Sequence, residues 1–328
     1  MHYSVIIPNL NGRHLLEVCL PALVPQVDDP SSVIVVDNGS SDGSVEWLAG
    51  SWPRVSVVPL GGNTGFTGAN NAGAASCDSP VLVLLNNDTR PSGDWLERLL
   101  EPLGEPGTGA VSSSMRRMGE PSVMDSAGGA LDTLGYTYDR GRGEPADRWA
   151  LPDEILFPCG GAMALRREAL EDPSVIFWDT LFCYNEDTDL GLRLWKTGYR
   201  CVYNPGAVVE HAMSATAGTG SPVRMRYCAR NRILVMRRHL GECFRLVSRT
   251  LALWETLALA YMLAMGEFAR FRASLRGCRE GFGEKIEPWG DPGKALTLYA
   301  RFMEPTAGTK VRRRLGEAVY QRISGSAS

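Results

Sequence analysis

Val33-Ile34-Val35-Val36-Asp37-Asn38-Gly39-Ser40-Ser41-Asp42-Gly43 reads as a strand that runs directly into a turn. Four β-branched or apolar residues in succession leave no polar face, which is the pattern of a strand covered on both sides in a parallel sheet. The seven residues after them are turn formers. Working outward, three more runs have the same character: Tyr3-Ser4-Val5-Ile6-Ile7, Val55-Ser56-Val57-Val58 and Val81-Leu82-Val83-Leu84-Leu85. Helical segments are expected between them at residues 15–23, 43–48 and 68–75. Strand and helix in alternation predict a doubly wound α/β arrangement.

The polar residues gather where such a sheet would use them. Asn9, Asn11 and Gly12 follow the first strand, and Asp37 to Gly43 the second. Asn63-Thr64-Gly65-Phe66-Thr67-Gly68 follows the third, and Asn86-Asn87-Asp88 the fourth. Each cluster lies at a strand's carboxyl end, the edge where open α/β sheets bind ligands. Any one of them is also a plausible ordinary turn; four on one edge point to a binding site.

Composition narrows the class. With 328 residues and 44% hydrophobic residues, the chain can bury a sizeable core. A net charge of −3 offers no electrostatic case for nucleic acid. The eight cysteines are scattered without a C-x-x-C pair, which argues against a zinc site or a disulfide framework. With a strand expected from Tyr3, no signal peptide is expected ahead of it. No apolar run is expected to reach the roughly 18 residues of a membrane span. Neither G-x-x-x-x-G-K-[ST] nor G-x-G-x-x-G occurs, so a P-loop and the usual dinucleotide fingerprint are excluded.

Residues 104–155 are rich in Gly, Pro and small polar residues, and suggest irregular strands with a loop over the site. Beyond them, Asn185-Glu186-Asp187-Thr188-Asp189-Leu190-Gly191-Leu192-Arg193 places three carboxylates beside an apolar run. Acids there are costly unless they bind something or move protons. Leu190, Leu194 and Trp195 have helical spacing and Gly198 ends the helix, so the acids mark its start. Asp189 is expected to cap that helix or to pair with Arg193 at i+4. Strands follow at residues 201–203 and 208–211. From residue 223 the pattern is helical and basic.

Ser4-Val5-Ile6-Ile7-Pro8, Asp37-Asn38-Gly39-Ser40-Ser41-Asp42-Gly43, Asn63-Thr64-Gly65-Phe66, Asn86-Asn87-Asp88 and Glu186-Asp187-Thr188-Asp189 occur in this order. In this the chain resembles the family 2 nucleotide-sugar glycosyltransferases of GT-A fold, and most closely their bacterial rhamnosyltransferase-like branch. The resemblance covers about residues 2–240. It implies an α/β GT-A domain with a Rossmann-like, mostly parallel central sheet flanked by helices over residues 1–222. A helical C-terminal region over residues 223–328 would lie against the membrane interface or form a dimer.

The implied reaction is inverting glycosyl transfer from a nucleotide sugar, dTDP-rhamnose or a UDP-sugar, to a hydroxyl of a glycan or lipid-linked acceptor in bacterial polysaccharide or glycoconjugate synthesis. The alternative is a non-catalytic nucleotide-sugar-binding scaffold on the same fold. By resemblance Asp187 is the base, with Glu186 its fallback. Asp88 and His211 are the implied ligands of a divalent cation, Mn²⁺ or Mg²⁺, as suits hard oxygen donors. The usual acidic motif is Asp-x-Asp; here Asn86 stands first, offering a neutral oxygen or acting through water, a form common in this branch. Pro8, Asn9, Asp37, Asn38 and Gly39 are the implied nucleoside contacts. Asn63, Gly65 and Asn70 are expected near the phosphates, and Asn87 beside the ribose or donor sugar. Gly160 and Gly161 would border the donor sugar and acceptor, and Arg230 a phosphate. The expected location is the cytoplasm, with possible peripheral contact at the inner face of the membrane.

Overall fold

The computed structural model describes residues 1–212, 221–302 and 310–327. Its contacts divide the chain into two compact units. The first comprises residues 1–129 and 139–215, the second residues 130–138 and 216–328. Residues 130–138 thus group with the C-terminal region, which nothing in their composition announces.

The first unit opens as the periodicity predicts. Strands β1 (Tyr3–Asn9), β2 (Val33–Asp37), β3 (Ser56–Pro59) and β4 (Val81–Leu85) alternate with helices α1 (Arg13–Leu23), α2 (Ser44–Ser51) and α3 (Gly65–Ala75). β1 pairs in parallel with β2 and with β4, and β2 with β3. The side chains of β2 and β4 are buried throughout, as strands covered on both faces must be. Val5, Ile7, Val35 and Val83 join one apolar cluster with α1, while Ile6, Val36, Leu82 and Leu84 join another that includes Ala69 and Ala74 of α3. Alternate residues of each strand therefore face opposite layers.

The rest of the unit is more ordered than its composition suggests. It contains β5 (Thr89–Pro91), α4 (Trp95–Leu100), β6 (Thr108–Arg117), β7 (Glu120–Ser126), β10 (Asp153–Ile155), β11 (Ala162–Arg166), α5 (Glu186–Thr197) and β12 (Arg200–His211). Strands β8 (Gly129–Leu131) and β9 (Thr137–Asp139) pair with each other and fall mostly in the second unit. Residues 104–155, expected to form irregular strands with a loop over the site, contain β6 to β10, with β7 irregularly paired on β6; what the composition does not announce is that β6 is a ten-residue strand inside the main sheet. Strand order among the described residues is β10-β12-β6-β11-β4-β1-β2-β3, with β5 on β12 and β7 on β6. β11 runs antiparallel to both β4 and β6, so only the β4-β1-β2-β3 half is purely parallel and the sheet as a whole is mixed. The two strands expected at residues 201–211 are one strand, irregular between Asn204 and Val208.

The second unit contains helices α6 (Pro222–Leu240), α7 (Arg245–Ala264), α8 (Phe268–Gly283), α9 (Pro292–Phe302) and α10 (Lys310–Ala327). Arg232 of α6 is buried, pairs with Glu255 of α7 at 2.7 Å and stacks on Tyr136 at 3.7 Å. The expectation that no segment is long or apolar enough to cross a membrane is corrected here. Among the described residues, the helical stretch Pro222–Ala264 passes by length and composition. Glu255 does not break that run's outer face, because it points inward to Arg232.

Candidate active site

The carboxyl ends of β1, β2 and β4 build a polar floor. Strand register sets Asn9 beside Asp37, and Pro8 beside Val36. The Asn9 amide donates to Asp37 Oδ1 at 3.4 Å, and Asn87 donates to Asn9 Oδ1 at 2.8 Å. Gly12 leaves the space the Asn87 amide fills, since a Cβ there would collide with it. Asp37 also accepts from the Ser40 backbone at 3.0 Å. Asn38 donates to Asn63 Oδ1 and to the Gly65 carbonyl, and accepts from Thr64 N–H at 2.8 Å. Gly39, at φ +87°, turns the chain where a Cβ would lie 2.9 Å from Gly62 Cα. These residues form one hydrogen-bonded rim. Asn9, Asp37, Asn38 and Asn87 are buried in this network, and so is Asn70 of α3, which donates to the Phe66 carbonyl.

The acid cluster starts α5 as expected, with Gly198 as its left-handed C-cap. Glu186, Asp187 and Asp189 all lie in the first turn, where the exposed N–H groups favour negative charge. Three non-glycine residues just before it, Phe182, Tyr184 and Asn185, have φ of 62°, 69° and 67°. Such left-handed backbone costs energy and persists where the surroundings enforce it. Part of that enforcement is visible: the Phe182 carbonyl accepts from Thr67 N–H at 3.1 Å and stands where a Gly65 side chain would be.

The three acids have separate environments. Asp189 is fully buried and pairs with Arg193 at 2.9 Å, the structural role read from its spacing. Glu186 is buried, and its Oε2 has no hydrogen-bond partner. Asp187 keeps partial exposure and accepts from Thr188 N–H at 2.8 Å. Burial, then the neighbouring Asp187 charge, pushes the Glu186 carboxyl well above the usual range. Burial, then the Asp139 charge, raises Asp187 as well.

Gly160 and Gly161 link this acid to the fourth strand. A Cβ on Gly160 would sit 3.8 Å from Asp187 Cβ, and one on Gly161 would sit 3.4 Å from Asn86 Nδ2. Asn86 N–H donates to the Gly161 carbonyl at 2.8 Å.

The implied metal ligands meet through strand pairing. β5 lies antiparallel on β12 with Thr89 opposite His211, so Asp88 and His211 become neighbours. His211 Nε2 is 3.3 Å from Asp88 Oδ1, yet that oxygen is buried with no hydrogen-bond partner. Asp125 Oδ2 holds the other ring nitrogen, Nδ1, at 2.6 Å. Burial opposes charge on His211, but the Asp125 and Asp88 carboxylates outweigh it and raise its pKa to about 9. A nitrogen and an orphaned carboxylate oxygen facing each other fit a divalent cation, which would take the proton's place. Among the described residues no group of three or more His, Cys, Asp or Glu could hold a metal, so its other ligands would come from water and a diphosphate.

Two acids here have no counterpart in the sequence reading. Asp125 on β7 and Asp139 on β9 share Arg142, at 3.2 and 2.8 Å. The only local hint was an acid inside the run Val123-Met124-Asp125-Ser126-Ala127. Arg230 belongs to the second unit, where it pairs with Glu284 at 2.8 Å.

Comparison with known proteins adds sequence and fold relationships. The family model described as glycosyl transferase family 2 matches residues 4–172. An N-acetylglucosaminyl-diphospho-decaprenol L-rhamnosyltransferase of Mycobacterium tuberculosis is 30% identical over 240 residues, covering 63% of this chain and 74% of the relative. Among solved structures, GalNAc-T7 with UDP, GalNAc and Mn²⁺ superposes with a TM-score of 0.62 at 18% identity, over 92% of this chain and 58% of that one. The mannosyltransferase PcManGT from Pyrobaculum calidifontis, with GDP-Man and Mn²⁺, gives 0.52 at 19% identity, over 99% of this chain and 86% of that one. At these identities the two structures speak to the fold alone.

Proposed function

The chain belongs to glycosyl transferase family 2, and from that premise we propose that it moves a sugar from a pyrimidine nucleotide sugar to an acceptor hydroxyl with inversion. The observation that carries this reading is the Gly160-Gly161 dipeptide, with the partly exposed Asp187 against one glycine and Asn86 against the other. The absence of two Cβ atoms lets Asp187 and the end of the fourth strand come together on one dipeptide, with Phe66 and Met115 packed on the same glycines.

Each role has a physical basis. Asp187 takes the proton as the acceptor oxygen bonds to the anomeric carbon. The bond from that carbon to the diphosphate breaks, and its electron pair leaves with the nucleoside diphosphate. A raised carboxylate pKa makes Asp187 a better proton acceptor near neutral pH than an ordinary aspartate. Glu186 is buried beside it and supports it. A divalent cation held by Asp88 and His211 would neutralise charge on the departing diphosphate. Asn9, Asp37, Asn38 and Asn87 supply the hydrogen-bonding rim for the nucleoside. Rhamnose as donor sugar and a lipid-linked acceptor are supported by the name of the mycobacterial relative.

Thermal-shift screening of nucleotide sugars with Mn²⁺, followed by an assay of nucleoside diphosphate release, tests the reading. A stabilising donor should be turned over by the native chain and not by Asp187→Ala. If both bind donor and both stay inert, the scaffold alternative holds.

A further inference from the structure

The second unit carries an apolar surface that the transfer reaction does not use. α7 and α8 pack on each other and are joined by residues 265–267. Leu253, Leu257, Tyr261, Leu263, Met265 and Phe268 are all exposed, from 45% at Leu257 to 63% at Tyr261. Leu253, Leu257, Tyr261 and Met265 recur every fourth residue, so they line one stripe about 18 Å long at 1.5 Å per residue. Only 22% of the most apolar window in the Pro222–Ala264 stretch is buried.

Arginine dominates the charges around the stripe. Between residues 245 and 279 the exposed charged residues are Arg245, Arg249, Arg272, Arg276 and Arg279. Of the two carboxylates in that interval, Glu255 is buried on Arg232, and the part-exposed Glu267 pairs with Arg270 at 2.9 Å; just beyond it, Glu280 pairs with Arg276 at 2.8 Å. An apolar stripe rimmed by arginine complements the surface of an anionic bilayer, with side chains in the acyl boundary and guanidinium groups among the phosphates. The opposite side of α7 packs on α8 and α10 and holds the Glu255–Arg232 pair, so lipid can meet one face only. A helix of that kind lies in the interface and does not cross it.

We propose that the α7–α8 tip docks the protein onto an anionic phospholipid bilayer, inserting the stripe from Leu253 to Phe268. The inference stands apart from the transferase reading, because docking needs neither donor nor cation. The test is co-sedimentation of the full chain with vesicles of phosphatidylcholine alone or mixed with phosphatidylglycerol. Leu257→Ser/Tyr261→Ser and Arg249→Gln/Arg272→Gln are compared with the native chain, with circular dichroism and melting curves confirming the fold. The native chain should bind the phosphatidylglycerol vesicles, less so as salt rises. The apolar double variant should lose at least about tenfold in affinity, since both substitutions remove apolar surface that insertion would bury. The arginine variant should lose its preference for the anionic lipid. Undiminished binding by either variant overturns the proposal. So does a chain that ignores vesicles but forms a dimer that the apolar substitutions dissociate in sedimentation velocity.

Discussion

Asp125 Oδ2 lies 2.6 Å from His211 Nδ1, although 86 residues separate them in the chain. β7 reaches His211 because both β7 and β12 flank β6. This contact fixes which ring nitrogen faces Asp88. A carboxylate behind a ligating histidine commonly changes metal affinity by about 10- to 100-fold. Asp125→Ala should therefore weaken Mn²⁺ binding by that order, read by electron paramagnetic resonance titration with a nucleoside diphosphate present. Asp125→Asn, which keeps an acceptor oxygen, should lose less. Equal affinity in all three proteins would remove Asp125 from the cation site.

Asp187→Asn should leave donor binding within a few-fold of the native value and lower turnover by about 10² to 10⁴, the usual contribution of a positioned base. Calorimetry with the donor and a single-turnover assay separate the two. A collapse of donor affinity with turnover preserved at saturation would place Asp187 in the donor pocket and make Glu186 the base candidate.

Glu186 has a stability signature that depends on pH. Its pKa is raised by burial in the folded state, so the folded protein holds the proton more tightly than the unfolded chain. Its contribution is fully present below the unfolded carboxylate value and is lost as pH rises through the folded one. Glu186→Gln mimics the protonated form. It should melt like the native chain at about pH 5 and above it at about pH 9, where the native carboxylate is ionised without a partner on Oε2. A melting difference independent of pH would show that Glu186 ionises freely.

Asp189 should separate from its neighbours as a structural acid. Asp189→Ala leaves the Arg193 guanidinium buried without its ion-pair partner. Losing one half of such a pair costs about 3–5 kcal/mol. Urea denaturation should show that loss, while Asp187→Asn stays close to the native stability. An Asp189→Ala protein as stable as the native one would mean that Arg193 finds another acceptor.

Much of this could be read in one dimension. The strands at Val33–Asp37 and Val81–Leu85, the helix after Asn185 and its glycine stop are local patterns of apolar spacing and turn chemistry. So is the Asp189–Arg193 pair, because i and i+4 meet on any helix. The order of polar clusters on one sheet edge follows from strand-helix alternation alone. Asp125 and Asp139 were not legible. Their roles depend on which strands lie side by side, and residues 104–155 carry no periodicity to announce a ten-residue strand in the main sheet. Burial could not be read either. Glu186 and Asp187 are adjacent and chemically alike, and only packing hides the first and leaves the second within reach. For the same reason Glu255 looked like a break in an apolar run. The fold turns it inward to Arg232, and the apolar face outside stays whole. Local sequence determined the elements and their polar ends, because hydrophobic period and turn preference act over a few residues. Tertiary structure decided which acid holds a histidine, which is shut away from solvent and which keeps partial exposure, because those properties depend on packing and charge in three dimensions.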